Sequence, residues 1–260
     1  MSVQHIATQD AYNQWASVYD TDGNMLQAID DLELEELLPN ILNLGLGASD
    51  HLALGEKLEL IDLGCGTGRN TAKVLAHPWA QAVIIRAMDF SSSMLAVAKE
   101  KLLPLHEGNE LVELMLNQAD CFPTVADKSA SPIPNVQGLR SFDVLISTLV
   151  LEHIPLRDYF ATLAALVKKG GYALVSNMHS EMGQISQAGF VNAEGVKVRG
   201  TSYAHTTEMT VKVAGEAGFE IVNVKERRMT EADVESGRVG ERGRKWVGIH
   251  VWYGLVLRRQ

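Results

Sequence analysis

The chain is poor in cysteine, in basic residues and in long apolar runs. Its 260 residues include two cysteines, Cys65 and Cys121, too few for a disulfide framework or a cysteine-based metal site. Lys and Arg number 23 against 32 Asp and Glu, and the formal net charge of −9 argues against nucleic acid or an anionic membrane as the main partner. The longest apolar run, residues 144–151, is too short to span a bilayer.

The remaining composition is that of an ordinary globular protein, with 46% hydrophobic and 21% charged residues. A length of 260 residues suits one large domain. The first ten residues are polar and lack the apolar core of a signal peptide. Together with the scarcity of cysteine, this predicts a cytoplasmic location.

Residues 58–71 organise the chain. They read Leu-Glu-Leu-Ile-Asp-Leu-Gly-Cys-Gly-Thr-Gly-Arg-Asn-Thr, which predicts a buried strand, a tight glycine turn and a helix N-terminus. Glycine allows positive φ and lets a ligand lie against bare backbone, while the helix start offers unpaired N–H groups. A dinucleotide fingerprint would need glycine where Arg69 stands, and a Walker loop would need a following Gly-Lys-Ser/Thr. The turn therefore indicates a ligand of another kind.

A second acidic position lies at the end of the next predicted strand, residues 83–88. Asp89 follows it, 21 residues after Gly68. A carboxylate at this spacing suits a bidentate contact to ribose hydroxyls. Further strands are predicted at 111–119, 142–147 and 172–177, the last after a helix ending at a glycine cap near Gly170.

The C-terminal part is predicted to hold a small hairpin at 190–199, a helix at 207–217 and last strands at 219–224 and 246–257. Near the start, residues 11–20 and 25–42 have helical periodicity, and the acids of the second segment predict a solvated face. Loops are predicted at 43–57 and 124–138.

These motifs together resemble the class I S-adenosylmethionine (SAM) methyltransferases that act on small molecules. Asp62-x-Gly64-x-Gly66-x-Gly68 is similar to their first motif, and Asp89-Phe90-Ser-Ser-Ser-Met94-Leu95 to their second. Residues 12–20, Tyr-x-x-Trp-Ala-x-x-Tyr-Asp, resemble a segment that covers the cofactor in such enzymes. The resemblance implies SAM as cofactor, S-adenosylhomocysteine (SAH) as product, and these cofactor-binding residues: Tyr19, Asp62, Gly64, Cys65, Gly66, Asp89, Phe90, Met94, Asp120, Cys121 and Thr148.

The resemblance also implies the fold, an α/β domain with a doubly wound, mostly parallel seven-stranded sheet. Helices would cover both faces of this Rossmann-like sheet, and the last strand would be antiparallel. The single domain, 1–260, would comprise an N-terminal helical lid at 1–56, a cofactor-binding core at 57–178 and an acceptor-side region at 179–260.

The expected chemistry is in-line transfer of a methyl group to an O or N nucleophile of a small metabolite. A histidine of near-neutral pKa could remove the acceptor's proton, and the candidates are His153, His179 and His205. His153 is the first choice because it follows the fourth strand. A metal site at Glu152, His153 and His179 is a weaker alternative, because two or three scattered ligands bind a metal poorly, and no metal is predicted. The alternatives left open are a non-catalytic SAM-binding subunit, a non-methylating reaction and methylation of a protein or nucleic acid. A nucleotide-dependent oxidoreductase is a further alternative, against which Arg69 in place of the third glycine counts. The sequence does not indicate the oligomeric state.

Overall fold

The computed structural model describes residues 2–48, 57–124 and 131–260. Strands in these residues are β1 (Val3–His5), β2 (Leu58–Leu63), β3 (Val83–Asp89), β4 (Val112–Gln118), β5 (Phe142–Thr148), β6 (Val167–Met178), β7 (Gly189–Val191), β8 (Lys197–Arg199), β9 (Phe219–Arg228) and β10 (His250–Arg259). Helices are α1 (Thr8–Trp15), α2 (Met25–Ala48), α3 (Arg69–Leu75), α4 (Ser92–His106), α5 (Leu156–Leu166), α6 (Ser180–Ile185), α7 (Thr207–Glu216) and α8 (Glu231–Glu235).

The main sheet confirms the predicted fold. Its seven strands run in the order β4-β3-β2-β5-β6-β10-β9. The first five are parallel, and β10 is antiparallel to both β6 and β9. No helix in the described ranges is both long and apolar enough to cross a membrane.

Each face of the sheet carries its own apolar cluster, because successive side chains of a strand point to opposite faces. In β2, Leu58 and Leu60 join the cluster under α2, α3 and α4, whereas Ile61 and Leu63 join the cluster under α5 and α7. Strands buried on both faces have the near-continuous apolar sequence seen here. The helices therefore cover both faces, as predicted.

A second, three-stranded sheet has the order β1-β8-β7. Its hairpin, β7 and β8, confirms the prediction for 190–199, but the pairing of β1 with β8 in parallel was not predicted. Trp15 of α1 stacks on Phe190 of β7, with 5.4 Å between ring centroids. This pairing and stacking bring the N-terminal segment against the C-terminal part of the chain.

The predicted glycine cap near Gly170 was wrong. Helix α5 ends at Leu166, and the Lys-Lys-Gly-Gly segment lies within β6. A Cβ on Gly171 would lie 2.8 Å from the carbonyl oxygen of Asp143, so glycine is needed where β6 approaches β5. The pairing of these strands shifts register at this point, as at a β-bulge. The same glycines that could end a helix here allow a bulged strand.

Two other boundaries differ from the prediction. Residues 43–48 continue α2, while 49–56 of the predicted first loop and 125–130 of the second lie outside the described residues. Strand β10 begins at His250, and Trp246 belongs to a short 3-10 helix, Glu241–Trp246.

The prediction of a solvated acidic face on the second helix was also wrong for two residues. Asp30 is fully buried and Glu33 is nearly so. Asp30 accepts hydrogen bonds from Arg69 at 2.5 Å, from Ser176 at 2.5 Å and from the indole N–H of Trp252 at 2.8 Å. One carboxylate thereby joins α2 to α3, β6 and β10.

We expect Asp30→Ala to lower the free energy of unfolding by about 3–5 kcal/mol, because it leaves Arg69 short of its buried partner and Trp252 without an acceptor. The matched control is Asp31→Ala, which removes a half-exposed carboxylate paired with Arg69 and Lys73 and should cost about 0–1 kcal/mol. Denaturant unfolding of both variants measures the difference. Equal losses would contradict the role assigned to the buried carboxylate.

Candidate functional site

A cavity of about 400 Å³ opens at the carboxyl ends of β2, β3 and β5. Open α/β sheets bind ligands at this edge. We call it the larger cavity. It is lined by every residue predicted to bind the cofactor except Met94: Tyr19, Asp62, Gly64, Cys65, Gly66, Asp89, Phe90, Asp120, Cys121 and Thr148.

The glycine turn presents bare backbone to this cavity. Gly64 has φ +81°, and an added Cβ would lie 2.5 Å from a methyl carbon of Val150. Gly66 has φ +54°, but no atom lies within 4 Å of where its Cβ would be. Glycine at 64 is therefore required by packing, whereas glycine at 66 leaves space that a ligand can occupy.

Two buried carboxylates border the turn. Asp62 accepts a hydrogen bond from Thr71 at 2.5 Å, and burial raises its pKa to about 7. Asp89 accepts from the backbone N–H groups of Gly66 and Ser91 at 2.9 and 2.8 Å, and burial raises its pKa to about 6. Both groups are costly to keep ionised without a partner, so a ligand that offers cations or hydroxyl donors would stabilise their charged forms.

Tyrosine side chains of the N-terminal segment cover the cavity. The Tyr12 ring lies 5.9 Å from that of Tyr19 and 6.2 Å from that of Phe90. Burial raises the pKa of both tyrosines, so both keep their hydroxyl proton. Met94 lies fully buried beneath this segment, packed with Ala11 and Trp15, and does not reach the cavity.

His153 lines the larger cavity with both ring nitrogens engaged. Its Nδ1 lies 2.5 Å from the carbonyl oxygen of Thr201, which can only accept, so Nδ1 carries the proton. Its Nε2 accepts from the Tyr12 hydroxyl at 2.7 Å. The two hydrogen bonds hold the ring in one orientation.

His205, the second predicted base, lines neither of the cavities described here. Its Nε2 lies 2.9 Å from the carbonyl oxygen of Ile154, and its ring stacks on Tyr203. Burial lowers its pKa. The structure therefore places His153, but not His205, beside the predicted cofactor residues.

A smaller cavity, of about 100 Å³, adjoins the larger one. The two share Tyr12, Tyr19 and Leu149 in their linings. Its lining includes aromatic and sulfur-containing side chains as well as charged ones, beside neutral polar and small residues: Trp15, Met178, Met182, Trp246, Asp22, Glu152, Lys197, Arg242 and Lys245.

Leu149 stands in the common wall with a strained backbone. Its φ is +56°, the single positive value among the described non-glycine residues. Its N–H donates to the carbonyl oxygen of Ser176 at 2.9 Å, and its side chain is buried. Such strain persists only where the surroundings impose it, and it concentrates at functional sites.

Glu152 is the buried acid of the smaller cavity. Its backbone N–H donates to Asn177 at 2.9 Å, its carbonyl accepts from Tyr203 at 2.7 Å, and Ser202 donates to its carboxylate at 3.4 Å. Burial raises its pKa, while neighbouring His153 lowers it. The sequence offered Glu152 only as a metal ligand, because nothing in it shows which cavity the side chain enters.

The metal alternative would need Glu152, His153 and His179 together. The Glu152 carboxylate lies 3.9 Å from Nε2 of His153, but His179 lines neither cavity. Instead, His179 lies 3.3 Å from Glu226 and forms a cluster with Glu181 and His250, with ligand atoms within 4.8 Å of one another. His250 and Glu181 already satisfy each other at 2.8 Å.

Comparison with known proteins decides the family. A model described as a methyltransferase domain matches residues 61–173. An uncharacterised methyltransferase of Emericella nidulans is 42% identical over 97% of this chain and 91% of its own length. The chain belongs to the class I SAM-dependent methyltransferases.

Solved structures agree on the fold of this methyltransferase. Magnesium protoporphyrin IX methyltransferase of Synechocystis with bound SAM superposes with a TM-score of 0.55, at 16% identity, over 97% of this chain and 95% of that one. The [4+2]-cyclase SpnF superposes with a TM-score of 0.56, at 14% identity, over the whole chain and 99% of its own. The cofactor of the methyltransferase is SAM.

Two lining residues of this methyltransferase were missed although they lie beside the glycine motif. Arg69 lines the larger cavity while paired with Asp30, and Asn70 donates to Thr148 at 2.7 Å. From the sequence alone, Arg69 indicated only that the glycine turn is not a dinucleotide-binding site. Its other role depends on the burial of Asp30, a tertiary contact that the sequence does not reveal.

The two turn glycines should respond differently to alanine. Gly64→Ala combines left-handed strain with a clash against Val150, and should cost about 2–4 kcal/mol of stability. Gly66→Ala meets open space and should cost about 1–2 kcal/mol, yet its methyl group would occupy ligand space and abolish most SAH binding. Thermal unfolding and SAH calorimetry separate the effects. Full SAH affinity in Gly66→Ala would contradict a ligand at the turn.

Proposed function

We propose that the protein transfers the methyl group of SAM to an O or N nucleophile of a small metabolite bound in the smaller cavity. The observation that carries this proposal is the wall common to both cavities, formed by Tyr12, Tyr19 and Leu149. A methyl group leaving one cavity has a direct path to a nucleophile held in the other. The finding that the chain is a methyltransferase supports the same assignment.

We assign the cofactor's parts to the larger cavity as the family resemblance implies. Asp62 and the turn carbonyls face the ammonium of the methionine part, and Asp89 accepts from the ribose hydroxyls. Asp120 and the backbone after it contact adenine. Two acids with raised pKa beside bare glycine backbone support this orientation, since the ammonium and hydroxyl groups are the partners that these carboxylates lack.

The catalytic work of the protein is alignment and proton removal. A sulfonium is a good leaving group, so holding the nucleophile in line with the methyl group supplies most of the acceleration. An O–H or N–H nucleophile must also lose a proton. Glu152 is the buried carboxylate of the acceptor cavity and could take it, whereas His153 already uses both nitrogens. We assign the role of general base to Glu152. His153 would orient Tyr12 through their hydrogen bond, and the role of His205 as a base stays a prediction.

There are two alternatives to methyl transfer. One is a non-methylating reaction, because the fold is similar to that of a [4+2]-cyclase. The other is that the chain is a non-catalytic SAM-binding subunit. The discriminating experiment incubates the full chain with SAM and a low-molecular-weight metabolite fraction, and follows SAH release together with a product heavier by one methylene group. Both signals together support methyl transfer. SAM binding without either signal overturns the proposal of methyl transfer.

The predicted absence of nucleic-acid partners and the cytoplasmic location stay predictions, although Cys65 and Cys121 are both free.

The affinity for SAH should rise by about tenfold from about pH 6 to about pH 8. Asp62 and Asp89, with pKa values of about 7 and about 6, are partly protonated at the lower pH, and SAH binds their ionised forms. Binding therefore releases protons, and affinity increases as pH passes through these pKa values. Calorimetry over this range is the measurement.

The control for this pH profile is Asp62→Asn, which cannot ionise. It should bind SAH more weakly and show a flatter dependence, with Asp89 alone responsible for what remains. A pH-independent affinity in the unmodified protein would contradict the assignment of the two carboxylates.

Glu152→Gln should lower kcat by about 10²–10⁴-fold with little change in SAH affinity, because it removes a base but keeps the hydrogen bond from Ser202. The comparison variant is His153→Ala, which frees Tyr12 and should mainly raise the KM for the acceptor or weaken SAH binding. Steady-state SAH release measures both. If kcat falls only in His153→Ala, the base is His153.

A further inference from the structure

The smaller cavity contains a group of basic side chains. Lys197 comes from β8, and Arg242 and Lys245 come from the 3-10 helix Glu241–Trp246. The chain as a whole carries a formal net charge of −9, so three basic side chains around one small cavity differ from its overall acidic composition. We call them the basic cluster.

None of the three pairs with a carboxylate in the described part of the chain. Arg242 donates to the backbone carbonyl of Asp22 at 2.5 Å, and the ammonium of Lys245 lies 4.8 Å from the centroid of the Trp246 ring. A neighbouring basic residue differs from the cluster in this respect. Arg244, in the same 3-10 helix, lies 3.3 Å from Glu241 and 4.0 Å from Glu231. Within the basic cluster, Lys197 is half-buried, whereas Arg242 and Lys245 are exposed.

The acids of the cavity are used elsewhere. The Asp22 carboxylate accepts from the Trp15 indole at 2.8 Å and from the Asn24 N–H at 3.0 Å. The Glu152 carboxylate lies beside Ser202 and His153. Neither lies within ion-pair distance of the basic cluster, among the contacts that the structure describes.

The cations also repel one another. Burial, followed by the charges of Arg199, Lys245 and Arg242, lowers the pKa of Lys197. An anion bound among these groups would relieve the repulsion and offset the lost hydration of Lys197, the one member of the cluster that is half-buried. Three cations against the two acids leave one formal positive charge in the cavity lining, which suits a monoanion better than a dianion.

We propose that the acceptor of this methyltransferase carries a carboxylate, which Lys197, Arg242 and Lys245 bind while the apolar part of the acceptor packs against Trp15 and Trp246. The inference rests on the proposed function, because it treats the smaller cavity as the acceptor site. The basic cluster fixes one end of the acceptor, and its nucleophile then lies towards the common wall of Tyr12, Tyr19 and Leu149.

The test uses the full chain saturated with SAH, titrated calorimetrically with matched pairs of small acids and their primary amides. The probes are benzoate and benzamide, phenylacetate and phenylacetamide, and hexanoate and hexanamide, with phenyl phosphate as the dianion. At least one acid should bind at least tenfold more tightly than its amide, and added salt should weaken that binding. No acid binding, equal binding of acid and amide, or tighter binding of phenyl phosphate overturns the proposal.

Variants then locate the site. Lys197→Met, Arg242→Met and Lys245→Met should each weaken binding of the preferred acid by at least tenfold and leave SAH affinity unchanged. The matched control is Arg244→Met, on the same 3-10 helix with acidic partners of its own, which should leave both affinities unchanged. Equal loss in Arg244→Met, or no loss in the three variants, places the acid elsewhere and overturns the assignment.

Measuring SAH binding distinguishes a failure of the proposed function from a failure of the carboxylate inference. If the unmodified protein fails to bind SAH, the proposed function fails at the larger cavity. If SAH binds and no acid is preferred to its amide, only the carboxylate inference fails. The acid and amide comparison needs no variant, so it remains decisive even where a substitution unfolds the chain.

Discussion

The structure depends on one buried carboxylate. Asp30 has no contact with solvent, and its charge is supported by Arg69, Ser176 and Trp252. An unpaired charge in this position would cost several kcal/mol, so the three donors are held in place once α2 packs on the sheet. They come from α3, β6 and β10, and Arg69 directly follows the glycine turn. The constraint that stabilises the core thereby also fixes one wall of the larger cavity.

On the proposed assignment, the larger cavity would hold the cofactor and the smaller one the acceptor. The larger one is formed by the carboxyl ends of the strands and the glycine turn, the smaller one by the N-terminal segment, the small sheet and the loop before β10. Leu149 lies between them with positive φ, and its N–H donates to the carbonyl oxygen of Ser176. With Tyr12 and Tyr19 it forms the common wall, so these three residues would set how closely the two proposed ligands approach.

The two cavities also differ in the sign of the charges that line them. Acids surround the glycine turn, where a cationic cofactor is expected, while the basic cluster lies across the common wall. The buried carboxylates of Asp62 and Asp89 are weakly screened, whereas Arg242 and Lys245 of the basic cluster are exposed to solvent. On the proposed assignment, this arrangement would favour a cation in the larger cavity and an anion in the smaller one.

The sequence by itself determined the glycine turn and the acid after the next strand, and its resemblance to a family implied the mostly parallel sheet. These depend on local spacing: positive φ at Gly64 and Gly66, and a strand length that brings Asp89 to the same edge. The features that the sequence could not predict depend on contacts between residues that are distant in sequence. Asp30 is 222 positions from Trp252, and only packing buries it. The side chain of Glu152 lines the smaller cavity, and β1 pairs with β8, because the tertiary fold brings together segments that are distant in sequence.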